Sequence, residues 1–225
     1  MIDKATSKPV LREKRFELSR ESFLRERLLN LKKTFEKLVT DYPQVACLSI
    51  FGSTLRPNVR EDSDIDAYLL VEEIDPNKLE TVGNKFKEDL IKTGLTEEQV
   101  KGIKVRPIDR DLISRSIIEN SDYFIDKAEV KRKIDSGEYG MTHPELPTID
   151  SGLVRIFHLS VGEKVKLYRN YVIDELLQLG EAGEDIWSRI IDYIEFSESS
   201  RENVKIASLP RSLEVARKKY YTETI

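Results

Sequence analysis

Apolar residues recur along this chain in several rhythms. Leu24, Leu28, Leu31, Phe35 and Leu38 fall four, three, four and three residues apart, the spacing of one stripe on an α-helix. The pattern predicts a helix from Ser19 to about Thr40, stopped by Asp41-Tyr42-Pro43. The polar stretch Met1 to Arg15 before it reads as a frayed arm or the lead into that helix. The rhythm then changes to mostly apolar runs. Val45 to Phe51 and Ile65 to Val71 read as strands. Pro76 to about Lys92 returns to helical spacing, with Leu79, Val82, Phe86, Leu90 and Ile91 on one face and Gly94 as terminator. Thr96-x-x-Gln99 has the form of a capping box, and Ile103 to Ile108 is a third strand candidate.

Asp111 to Ile118 and Ser121 to Lys133 read as helices, the second carrying the cluster Lys127, Lys131, Arg132 and Lys133. Gly137 to Pro147 holds two glycines and two prolines and is the best linker candidate. Beyond it the pattern is helical, with no convincing strand: Ile149 to Leu159, Glu163 to Leu179, Glu184 to about Phe196, and Pro210 to Tyr221. The expected fold is α/β (α+β). A small mixed sheet has helices packed on one face, in a domain over residues 1–145. An α-helical C-terminal domain follows over 146–225.

Composition narrows the field. The chain has 225 residues and a formal net charge of −4, a balance that argues against a general nucleic-acid binder. No apolar stretch approaches a membrane span, and Met1 to Pro9 lacks the apolar core of a signal peptide. A cytoplasmic location and no membrane partner are the expectation. The single cysteine, Cys47, sits inside the first strand and reads as a small buried hydrophobe. His143 and His158 are the only histidines and make no common zinc pattern with it. The phosphate-loop, dinucleotide and zinc-protease motifs are all missing from the sequence.

The candidate chemistry lies between the first two strands. Gly52 and Ser53 follow the first, and Asp64 and Asp66 open the second. Residues two apart on a strand project from one face, and Ile65 points to the other. Two carboxylates that close repel unless a cation sits between them, and hard divalent ions prefer oxygen ligands. A glycine-serine turn offers main-chain N–H groups to a phosphate. A phosphate cradle beside a cation-holding pair suits phosphoryl or nucleotidyl transfer. Arg56 and Arg60, in the connector, are candidates for triphosphate oxygens.

Gly-Ser, ten residues, then Asp-x-Asp resembles the signature of the DNA polymerase β-like nucleotidyltransferase superfamily, its minimal branch in particular. The likeness covers Val45 to Val71 closely and Leu24 to Leu112 in outline. It implies NMP transfer from an NTP, expected to be ATP, to an acceptor hydroxyl. It also implies Gly52 and Ser53 on the phosphates, and Mg²⁺ or Mn²⁺ on Asp64 and Asp66. Superfamily members place a third carboxylate on the neighbouring strand. Asp109 is the first candidate for that metal ligand and catalytic group, and Asp111 the second. The mid-strand positions carry Lys104 and Arg106 instead; if these occupy the acidic position, the third carboxylate is missing. The acceptor stays open among a small hydroxylated molecule, a protein and an RNA, as does the oligomeric state. The helical C-terminal part resembles that of antibiotic nucleotidyltransferases. The alternatives are the antitoxin of a toxin–antitoxin pair, or a catalytically impaired binding module of the same fold.

Overall fold

A computed structural model describes residues 8–55, 59–73, 75–114, 117, 156–198 and 209–222. The backbone alone is described at 8–22, 53, 192–193, 195–198 and 222. The expected helix over Ser121 to Lys133, its basic cluster, the linker with His143 and the boundary at 145/146 lie outside the described residues.

Helix α1 spans Lys8–Asp41, so the polar lead is already helical from residue 8. Strand β1 (Val45–Ile50) and strand β2 (Ala67–Val71) are buried at every position. That explains why both read as mostly apolar runs rather than alternating ones: each has cover on both faces. Helix α2 (Pro76–Lys92) starts at an Asp75 cap whose carboxylate accepts from the Asn77 N–H, and the short α3 (Glu97–Val100) has the complete Thr96/Gln99 capping box. Strand β3 (Ile103–Pro107) alternates in exposure, as an edge strand does. A helical stretch follows at 110–114.

The sheet order is β3-β2-β1-β4. β1 runs antiparallel to β2, and β2 runs parallel to β3. The fourth strand, β4 (Leu159–Val161), pairs antiparallel with β1 through Leu48↔Val161, Ser49↔Ser160 and Ile50↔Leu159. It corrects the all-helical reading of the C-terminal part. Three residues are too few to establish a period of two, and their pairing with β1 spans more than 100 residues of chain. After it come α4 (Val165–Gln178), α5 (Glu181–Glu198) and α6 (Leu213–Thr222).

Each face of the sheet has its own core. Leu31, Phe35 and Leu38 of α1 pack with Val82, Phe86 and Leu90 of α2 against Leu48, Ile50 and Leu69. On the other face Cys47, Tyr68 and Leu70 meet Ile173 and Leu176 of α4, Trp187 of α5 and Leu213 of α6. Trp187 is fully buried and donates to Pro210 O at 2.8 Å, a packing role. At the C-terminal end of β2, Glu72 accepts from Lys164 Nζ at 2.5 Å and from the Tyr168 hydroxyl at 2.6 Å, tying α4 to the sheet.

Asp89 on α2 accepts from Lys85 Nζ at 2.7 Å and Lys92 Nζ at 2.9 Å, and these bonds hold its carboxyl down at about 2. A depressed carboxyl stabilises the fold above its unfolded value near 4 and loses that contribution as pH falls towards 2. Asp89→Asn should therefore lower stability by about 1 kcal/mol at pH 7, discounted for the solvated lysines. The gap from wild type should close between about pH 4 and pH 2 in chemical denaturation; a gap independent of pH would exclude the ion pairs as its cause.

Candidate active site

β1 ends at Phe51, and the chain turns at once through a 3₁₀ helix, Gly52–Leu55. Gly52 has φ +62°, the left-handed region that glycine enters without penalty. It also lies against Asp66. A Cβ added at position 52 would sit 2.9 Å from Asp66 Cβ and closer still to its carboxylate. Two further bonds hold the turn against the start of β2: Phe51 N–H donates to Asp66 O at 3.0 Å, and Asp66 N–H donates to Thr54 Oγ1 at 2.7 Å. The structure thus brings Gly52, the Ser53 backbone and Asp66 together. The Ser53 side chain and the whole of Arg56 lie outside the described residues.

Asp64 is exposed and Asp66 half-buried, while Ile65 between them is fully buried. The Ile65 N–H donates to Gln99 O at 2.7 Å, so the capped turn of α3 fixes the backbone between the two acids. Gly102, just before β3, passes so close that a Cβ there would lie 2.7 Å from Ile65 O and 2.9 Å from Asp64 Oδ2. Arg60 forks onto Asp62, with Nε 2.9 Å from Oδ1 and Nη2 2.5 Å from Oδ2. An open groove of about 450 Å³ runs beside Asp64, lined by Arg60, Asp62, Ser63, Asp64, Glu98 and Lys101.

The structure does not bring Asp109 to this pair. The parallel register matches Ala67 with Ile103 and Val71 with Pro107, so Asp66 lies before one end of the two strands and Asp109 beyond the other. Seven residues of strand separate their levels, roughly 20 Å at about 3.3 Å per residue. Asp109 instead caps the helical stretch, accepting from Leu112 N–H at 2.7 Å. Asp111 lies still further along. On the face that carries Asp66 and Tyr68, β3 presents Lys104 opposite Tyr68 and Arg106 opposite Leu70. The Arg106 guanidinium lies 5.8 Å from the Tyr68 ring centroid. The strand beside the carboxylates is basic on this face.

The donor set fits a magnesium-class ion. Asp64 and Asp66 offer only oxygens. Among the described residues no group of three or more His, Cys, Asp and Glu could hold a metal. Such an ion needs no protein cage, because one or two carboxylates, water and substrate phosphates complete its shell.

Residues 31–135, just under half of the chain, match the family model described as a nucleotidyltransferase domain. Over this segment the chain resembles a nucleotidyltransferase domain. The match agrees with the likeness of the Gly-Ser-x(10)-Asp-x-Asp motif to the polymerase β-like superfamily and supports a general NMP-transferase activity on an NTP. No curated protein and no solved structure matches the chain. Among the described residues no helix is long and apolar enough to cross a membrane.

Three residues around the candidate site escape a sequence reading. Thr54 is one of ten residues in a connector. Gly102 looks like a simple turn. Arg27, 3 % exposed, looks like one more charge on the polar face of α1. The only signal for Arg27 is its register, one residue before Leu28 of the apolar stripe.

Proposed function

We propose that this chain transfers a nucleoside monophosphate from an NTP, with ATP the expected donor, to a hydroxyl group and releases diphosphate. The reading rests on one observation above all: the glycine of the turn packs against the carboxylate of Asp66. A phosphate held by the Gly52–Ser53 main chain would then lie beside the acidic pair. Asp64 and Asp66 would hold Mg²⁺ or Mn²⁺. Bound there, such an ion would neutralise charge on the attacking and leaving oxygens of an in-line transfer. The residues of the chain bind and orient. The turn grips the phosphates, Thr54 and Gln99 set the backbone of the acids, and Arg56 is proposed on the triphosphate. The open groove beside Asp64 is lined by polar and charged side chains, Arg60, Asp62, Ser63, Glu98 and Lys101 among them, which suit a polar, hydroxylated molecule. We therefore propose a small hydroxylated acceptor, and a cytoplasmic setting where NTP is at hand.

The test uses ATP labelled at the α- or the γ-phosphate, with Mg²⁺ and pools of aminoglycosides, proteins and RNA. The α-label should pass to an acceptor while the γ-label leaves as diphosphate. Transfer of the γ-label would replace nucleotidyl transfer with kinase chemistry.

One observation favours a second reading. Lys104 and Arg106 stand on the face of β3 that lies beside Asp66 and Tyr68, where the resemblance to the superfamily implies a third acid. A binding module or antitoxin scaffold with an impaired site would carry such a change. It would bind or fail to bind NTP without labelling any acceptor. A domain that has lost its site altogether should show no Mg²⁺-dependent thermal stabilisation by NTP.

A further inference from the structure

A charged group is buried next to the carboxylate pair and has not spent its hydrogen bonds. Arg27 of α1 is 3 % exposed. Its Nη2 donates to Ser63 O, the carbonyl immediately before Asp64. Its Nε and Nη1 have no hydrogen-bond partner among the described residues. The Phe23 ring covers the guanidinium, with its centroid 5.7 Å from the central carbon. Burial lowers the pKa of Arg27, and the charges of Asp64 and Asp66 oppose that drop, which places both acids within its electrostatic reach. An arginine stays ionised at any physiological pH. Buried charged donors left open are costly, so a native structure that keeps them calls for an explanation.

We propose that Arg27 is a positioning residue that makes the metal and the nucleotide bind together, by opposing a bare divalent cation at Asp64 and Asp66. The inference rests on the nucleotidyltransferase reading above. The two acids bring two negative charges and Arg27 returns one positive. A divalent cation arriving alone would leave the pocket net positive around a buried guanidinium. A cation arriving with a triphosphate brings its own compensating charge and a supply of oxygen acceptors. Arg27 also holds the loop that carries Asp64, through Ser63, so the pair stays in place while its charge is only half balanced. By linkage the coupling is reciprocal: nucleotide tightens metal by the factor that metal tightens nucleotide.

The test is a set of titrations of the full chain with Mn²⁺, followed by electron paramagnetic resonance, with and without a non-hydrolysable α,β-methylene ATP. Wild type should bind Mn²⁺ at least about tenfold tighter with the nucleotide present, the scale of one unit charge acting on a divalent ion at about 10 Å where solvent raises the effective dielectric constant to about 50. Arg27→Met, uncharged and able to fill the buried slot, should bind Mn²⁺ alone roughly tenfold tighter than wild type and lose most of the coupling. Arg27→Lys, which keeps the charge, should keep the coupling. Wild type binding Mn²⁺ equally well with and without nucleotide would overturn the proposal without any variant having to fold. A folded Arg27→Met with wild-type coupling would overturn it as well, leaving the nucleotidyltransferase reading untouched. Wild type binding neither Mn²⁺ nor the nucleotide at millimolar concentration would remove both.

Discussion

Asp66→Asn should lower nucleotidyl transfer by about a thousandfold or more while leaving the protein folded. The size follows from removing a charge from the centre that must balance a transferring phosphoryl group. Losses of single stabilising groups at such centres run to about 10²–10³, and a metal-holding carboxylate carries more of the charge than a neutral donor does. The retained fold follows from how Asp66 is held. Its bonds to Thr54 and Phe51 use its main-chain N–H and C=O, which asparagine keeps. Asparagine also keeps the shape against Gly52. Removing one of two neighbouring negative charges relieves repulsion but withdraws compensation from the buried Arg27 charge, so the melting temperature should change little. Wild-type rates in a folded Asp66→Asn protein would disconnect the acidic pair from the reaction. A collapse of stability would instead make Asp66 a structural residue.

Gly52→Ala should be the second severe change, and Gly180→Ala is its control. Both glycines have left-handed backbones, φ +62° and +59°, so alanine costs each about 1–2 kcal/mol. Their surroundings differ. Nothing lies within 4 Å of a Cβ at 180, whereas one at 52 overlaps the Asp66 carboxylate. Both variants should lose similar stability from the backbone, and Gly52→Ala should lose more because Asp66 must move. Activity should separate them clearly. A displaced carboxylate should cost roughly 10²-fold in rate, and Gly180→Ala should transfer normally. Equal activities in the two variants would mean that the close approach of Gly52 to Asp66 does not matter to the reaction.

The parts of this fold that sequence makes legible are those governed by local physics. The stripe from Leu24 to Leu38, the apolar runs of β1 and β2, the Asp75 and Thr96 caps and the Gly52 turn each carry their signal within a few residues. The close grouping of Gly52 with Asp66 also follows from two strands joined by a short connector. What sequence hides depends on register between distant segments. Asp109 is an acid close to the strand on which the superfamily pattern asks for one, but it follows that strand, and the parallel pairing of β2 with β3 carries it to the far end. β4 is three residues without a period. Arg27 and Thr54 acquire meaning only through a carbonyl and an amide that lie 36 and 12 residues away along the chain.

The place of β4 has a consequence for how the chain comes together. Residues 31–135 do not contain the neighbour that β1 needs on its outer side. Cut out alone, they would leave the Leu48–Ile50 backbone as a bare sheet margin, with Cys47, Tyr68 and Leu70 stripped of α4, α5 and α6 beside it. Unprotected margins of this kind recruit other chains. During synthesis the margin stays open until residue 161 has emerged, and closing so long a loop is slow. The half that carries the acidic pair is thus a dependent of the helical half, finished only when β4 slides into its slot.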